Sequence, residues 1–333
     1  DYVNRDQYLY YLGEAFSFAT GLSFEEARVN RVNSIRGTYG SPLADDELPG
    51  EEGSETRQAF LDSGADLADT NWQDFIYDAA PTKKYNVSIT GGSGDTNFRV
   101  SGGYEDTQGM VFDVDFSRLN LRTNLDHRFN DRFNTGVTFN VARTSRFGVC
   151  QDGNFVNCPP SQPLIASPIS FPYSRDGEYN PNTNFGIDTN PAVTQNEVDR
   201  EVITLSLFTN ITADFRIIDW FSVRGLVGID YRDRDDSQFR TSVAAPAQGG
   251  FGTNDFRRVE NSIANLVFSG NYTFDDVHNV SGFAGGEYRR DYNQRIGLTS
   301  EGFPGTFVTA LNAGSNATRA NGFYTEYLFA GYF

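Results

Sequence analysis

From Tyr85 to the end of the chain, apolar and polar side chains take turns. Tyr85, Val87 and Ile89 alternate with Asn86, Ser88 and Thr90. Phe98, Val100 and Tyr104 alternate with Arg99, Ser101 and Gly103. Leu119, Leu121 and Leu125 alternate with Arg118, Asn120, Arg122, Asn124 and Asp126. The same period recurs over 133–141, 203–215 and 221–231, and further strands fit near 257–274, 279–297 and 318–333, the second of these with weaker alternation. Successive side chains of a strand point to opposite sides, so the pattern predicts about nine strands, each with one apolar and one polar face. Several are about 12 to 18 residues long, whereas strands of soluble proteins usually have about 5 to 6. Such lengths suit tilted membrane spans that also project beyond the bilayer.

The connections carry a second rhythm. The turns after residues 91, 129, 216 and 274 are short, and the connections 109–115, 147–200, 240–256 and 298–317 are longer. Short periplasmic turns and long extracellular loops characterise outer-membrane barrels. The alternation therefore predicts a topology in which the strand from Phe116 runs toward the periplasm and the strand from Arg132 runs outward. Alternation alone also fits a soluble barrel with its apolar face inward. Strand length, loop asymmetry and strand number favour the membrane. The expected fold is all-β: a transmembrane antiparallel β-barrel, partial, with about nine strands of a larger wall. A short mixed, helical N-terminal segment precedes it.

Residues 1–84 lack the alternation. Short helices fit within 6–18 and 23–35, the acidic 45–55 stretch reads as loop, and 56–80 is weakly helical up to Pro81. The expected division is thus a loop-like or connecting segment at 1–84 and part of the barrel at 85–333. With Asp1 at one end and a strand-like run to Phe333 at the other, the chain reads as an internal piece of a longer protein.

Composition agrees with strands. The 333 residues are 38% hydrophobic but 14% aromatic, with 29 Phe, 17 Tyr and 33 Gly. No run approaches the ~18 apolar residues of a spanning helix. The net charge of −17, from 44 acidic against 27 basic residues, argues against a nucleic-acid partner and fits an acidic surface, lumen or loop crown. Cys150 and Cys158 lie eight apart in a Gly/Asn/Pro-bearing loop, where a disulfide in an oxidising compartment and two free thiols are both open readings.

Catalysis finds little support. His127 and His278, the two histidines, each lie near a predicted periplasmic turn, and no Ser/His/Asp, Cys/His or metal-ligand set accompanies them. No enzyme activity and no cofactor is expected. Charged residues on the polar faces are more informative. Arg118, Arg122, Arg224 and Arg232 would each cost about 2–4 kcal/mol facing lipid at midplane, so they are expected to face the lumen beside Asp126, Asp214 and Asp230. Arg289 and Arg290 raise the same question near Glu287. Phe171 and Tyr173 sit in the longest loop, where aromatics either stack on a ligand or pack the loop down.

The run Asn71-Trp72-Gln73-Asp74-Phe75-Ile76, then Tyr85-Asn86-Val87-Ser88-Ile89-Thr90-Gly91-Gly92, resembles the start of the barrel in SusC/RagA-type TonB-dependent transporters. So do Phe98-Arg99-Val100-Ser101-Gly102-Gly103-Tyr104 with Gln108-Gly109, and Phe116-Ser117-Arg118-Leu119-Asn120-Leu121-Arg122-Thr123-Asn124-Leu125-Asp126. Asp176-Gly177-Glu178-Tyr179 with Asn190-Pro191 is similar to a long loop region of that family, and Leu328-Phe329-Ala330-Gly331-Tyr332-Phe333 to one of its strands. The resemblance implies an outer-membrane importer of about 22 strands with a plugged lumen. It also implies a SusD-type lipoprotein cap, energy from TonB, and oligosaccharide or peptide cargo. Neither plug nor TonB box is legible here, so the resemblance implies a piece of barrel wall. A passive porin, a structural or adhesive barrel in a surface complex, and a soluble β-rich binding protein are the competing readings.

Overall fold

A computed structural model describes residues 3–112, 114–148, 161–180, 190–275 and 277–333. The two cysteines of the disulfide expectation, Cys150 and Cys158, lie outside the described residues. The chain divides into two compact units: Asp1–Ala79 with Met110–Asp113 and Val149–Val198, and Ala80–Gly109 with Val114–Gly148 and Asp199–Phe333.

The first unit is helical. Helix α1 (Arg5–Thr20) starts at a capping box in which Asn4 accepts from the Gln7 amide and the Gln7 side chain returns to the Asn4 amide. It stops at Gly21, whose φ of 74° is a left-handed conformation that glycine adopts without a Cβ clash. Helix α2 (Phe24–Tyr39) repeats the device with Ser23 and Glu26. Between them the helices bury Leu9, Val32, Ile35 and Tyr39, joined by Leu67 and Ile169. The 56–80 stretch is not one helix but two, α3 (Glu55–Ser63) and α4 (Trp72–Ile76). Gly64, at φ 76°, ends the first, and the intervening residues turn back so that Asp66, wholly buried, meets the Arg36 guanidinium at 2.5 and 2.7 Å. Trp72 is also fully buried and donates its indole N–H to the Ser167 carbonyl at 2.9 Å. Two short helices, α5 (Gln162–Ile165) and α6 (Pro191–Glu197), complete the described part of this unit.

The second unit is one antiparallel sheet of nine strands in sequence order. They are β1 (Thr82–Ser93), β2 (Thr96–Gln108), β3 (Asp115–Asn130), β4 (Phe133–Phe147), β5 (Val198–Ile218), β6 (Phe221–Arg240), β7 (Phe251–Phe274), β8 (His278–Glu301) and β9 (Asn316–Tyr332). Turns of two or three residues alternate with longer connections, as the sequence rhythm predicts. The strands exceed expectation at one end. β7 begins at Phe251, inside the stretch read as loop 240–256, and β8 runs on to Glu301. There both faces are polar, as at Thr253, Asn254 and Asp255, so no alternation marks the strand. Backbone pairing carries it, from Phe251↔Glu301 through Asp255↔Gly297, with ion pairs from Asp255 to Arg295 and Arg319.

Candidate functional site

The register sorts side chains onto two faces. On one face Tyr85, Tyr104 and Leu119 stand in a row across β1–β3. Leu121 stands beside Val141 and Leu207, Leu125 beside Val137 and Ile211, and Val227 beside Ala264 and Tyr288. This apolar face has no protein cover within its own unit. Val87 is 69% exposed, Leu119 61% and Ile211 50%, and the buried apolar residues of this unit among those described are Ala142, Phe239 and Ala245. A sheet that exposes its apolar side chains and pairs its backbone internally is built for a hydrocarbon surrounding.

The band has two edges. At the turn end, aromatic rings cluster: Phe129 on Phe133 at 5.1 Å, Trp220 on Tyr272 at 5.6 Å and Phe221 on Phe268 at 6.2 Å. On β7 and β8 the band runs from the Tyr272–Val280 pair to Ala264–Tyr288. That is nine residues on each strand, or about 20 Å at the usual strand tilt, close to the height of about 25 Å of an outer-membrane hydrophobic belt. Immediately beyond, the same face turns ionic. Arg290 pairs with Glu260 at 3.2 Å and Glu326 at 2.6 Å, its guanidinium 5.4 Å over the Tyr292 ring, and Arg258 meets Asp233 at 3.5 Å. Tyr292 stacks on Tyr324 at 6.1 Å. Arg289 and Arg290, considered together in the sequence, therefore fall on opposite faces. Sequence reasoning missed the Glu260–Arg290–Glu326 set, although its signal is visible as charge at positions where alternation calls for apolar residues.

The opposite, polar face holds all seven charged candidates. Arg118, Arg122 and Asp126 project from β3 in register with Thr144, Asn140 and Gly136 of β4, and Asp214 follows beside Asn134. Arg224 reaches Asp214 at 2.5 Å, which brings β6 into the same set and with it Asp230 and Arg232 at even positions. Among the expected pairings, Arg224–Asp214 is formed. Arg118 stands opposite Glu105, which is bonded to Lys84 at 2.8 Å. His127 takes up Thr96 Oγ1 at 2.7 Å beside the first turn, and no group of metal-ligating side chains forms among the described residues.

Phe171 and Tyr173 lie in the helical unit. Tyr173 bridges antiparallel to Tyr179 across a turn closed by Gly177 at φ 85°, and the two rings tilt together at 5.6 Å. Asn196 donates to the Tyr173 hydroxyl at 3.0 Å, and the Tyr179 hydroxyl donates to Glu197 at 2.9 Å. Burial, then the Glu197 carboxylate, pushes the Tyr179 phenol up to about 12. Asn190 donates to the carbonyls of Pro172 (2.7 Å) and Asn180 (3.1 Å), tying the hairpin to α6. Tyr173 remains 38% exposed. Tyr179 and Asn190, quoted in the family resemblance for their motif, thus hold this hairpin.

No family model matches the chain. The chain is 24% identical over 257 residues to TonB-dependent receptor P3 of Formosa agariphila, spanning 75% of this chain and 26% of that protein. It is 33% identical over 103 residues to TonB-dependent receptor SusC of Bacteroides thetaiotaomicron, spanning 31% of this chain and 9% of SusC. Its fold matches a structure of the RagAB peptide transporter with a TM-score of 0.71 at 18% identity, over 100% of this chain and 37% of that one. The chain spans about a quarter of the length of TonB-dependent receptor P3. In sequence the chain is thus similar to part of TonB-dependent receptors, SusC among them, and in fold it matches a segment of the RagAB peptide transporter.

Proposed function

We propose that this chain forms part of the wall of a TonB-dependent receptor in the bacterial outer membrane that imports a bulky nutrient such as an oligosaccharide or peptide. The observation that carries the reading is the uncovered apolar face on a meander of nine strands, edged by aromatic rings at the turn end and ion pairs at the other. The free edges of β1 and β9 have unpaired backbone groups that hydrocarbon cannot solvate, so further strands must pair with them in the bilayer. The seven polar-face residues then look into the lumen. Residues 1–84 act as an extracellular-loop-like or connecting segment and 85–333 as wall, with the connections at 147–200, 240–256 and 298–317 outside the cell. Relatives named for TonB dependence support coupling to TonB through a plug region contributed by the rest of the protein. The RagAB and SusC similarities support a SusD-like surface lipoprotein as partner.

Uptake tests the reading. Cells carrying the full-length receptor should accumulate labelled oligosaccharide or peptide only with TonB present, and the receptor should leave the membrane only with detergent. Uptake that persists without TonB would instead favour a passive pore, and extraction into buffer alone would sink the barrel.

A further inference from the structure

Three arginines stand side by side on the polar face: Arg234 of β6 opposite Arg257 of β7, and Arg257 opposite Arg295 of β8. Like charges directly opposite each other across a sheet destabilise it. The chain does this despite a net charge of −17. The next row outward supplies Asp236 and Asp255, directly opposite one another. They are already shared. Asp236 binds Arg200 at 2.9 Å and Arg234 at 2.8 Å, and Asp255 binds Arg295 at 3.1 Å and Arg319 at 3.3 Å. Five arginines thus face two aspartates, a local charge of +3 (5 − 2). Arg257 hydrogen-bonds Asn293 at 3.2 Å and has no carboxylate at ion-pair distance among the described residues. Phe323 of β9 continues the same row beyond Arg295 and is 55% exposed.

The geometry points to a binding site for an acidic oligosaccharide, one carrying a carboxylate or sulfate on successive sugars. The inference rests on the import reading, because only there does this face line the path of a cargo. Neighbouring strands are about 4.8 Å apart, so the row sets three guanidinium groups along about 10 Å, within reach of charges carried by neighbouring sugars of one chain. What sets a sugar apart from an acidic peptide here is the exposed Phe323 ring at the end of the row. Guanidinium forks hold carboxylate and sulfate oxygens in bidentate geometry, and the open Phe323 ring offers a sugar its apolar face. The anion also removes the repulsion that Asp236 and Asp255 leave uncancelled.

Calorimetric binding to the detergent-purified full-length receptor tests this, with oligogalacturonate, a neutral oligosaccharide of equal length and oligo-aspartate as probes. Oligogalacturonate should bind at least several-fold more tightly than the other two, and more weakly as salt rises. Arg257→Gln and Arg295→Gln should each weaken that binding several-fold, while Arg143→Gln, on the apolar face, should not. Thermal unfolding separates recognition from structure. Arg257→Gln should leave stability unchanged or raise it, since it relieves like-charge crowding. Equal affinity for acidic and neutral oligomers, preference for oligo-aspartate, or unaltered binding in both row variants would overturn the site. A receptor that binds oligogalacturonate as expected but takes it up without TonB would instead overturn the import mechanism and leave the site standing.

Discussion

Tyr179 shows how little a side chain's type says about its task. Its hydroxyl donates to Glu197, and ionisation would set a phenolate against a carboxylate. The folded hairpin holds the proton to about 12, while an unfolded tyrosine releases it near pH 10. The folded pKa is the higher, so this bond contributes fully below about pH 10 and is lost as pH rises through 12. Cleavage of the hairpin within 171–180 by an alkali-tolerant protease should therefore accelerate across that window, and Tyr179→Phe should flatten the dependence. An unchanged profile in the variant would show that another group governs it. The sequence left open whether Phe171 and Tyr173 pack or bind. Tyr173's stacking on Tyr179 and its bond from Asn196 give the packing reading a structural basis.

For a strand, the decisive property is which face a residue occupies, and a shift of one residue reverses it. Ile211 lies in register with Val137 on the apolar face, seven positions from the end of β5, and its neighbour Asn210 lies with Thr138 on the polar face. Arginine at Ile211 should destabilise the inserted barrel by about 2–4 kcal/mol, while arginine at Asn210 should cost much less. Urea unfolding from lipid vesicles measures the difference. Equal costs would contradict the assignment of lipid and lumen faces. These faces were legible in β1–β6 because most apolar residues there are separated by polar ones, with exceptions such as Leu207-Phe208 and Leu226-Val227. They were less legible in β8, where Phe283, Tyr288 and Tyr292 fall on both faces, and illegible at the start of β7, where neither face is apolar.

At the scale of the whole molecule, the rhythm of connections assigns an outside. With Cys150 and Cys158 replaced by serine, a single cysteine at Ser174 should react with an impermeant thiol reagent on intact cells. One at Gly94, in the β1–β2 turn, should react only after the outer membrane is ruptured. The opposite result would invert the topology. Gly94 is exposed and Ser174 half-buried, so a lack of reaction at Gly94 on intact cells reports access rather than burial.

What the sequence determined by itself is local: strand existence, the alternation of faces and the order of short and long connections all follow from period two and turn chemistry. The separate helical unit was only half visible, because α1 and α2 have side-chain caps at their starts while the path after Gly64 is fixed by Asp66 meeting Arg36, 30 residues away. Pairing decided the rest. Only the register reveals that Arg290 belongs with Glu260 and Glu326, at the edge of the apolar band, and that three arginines share a row. These residues are about 25 to 60 positions apart in the chain, and nothing in a one-dimensional pattern brings them within a strand spacing of each other.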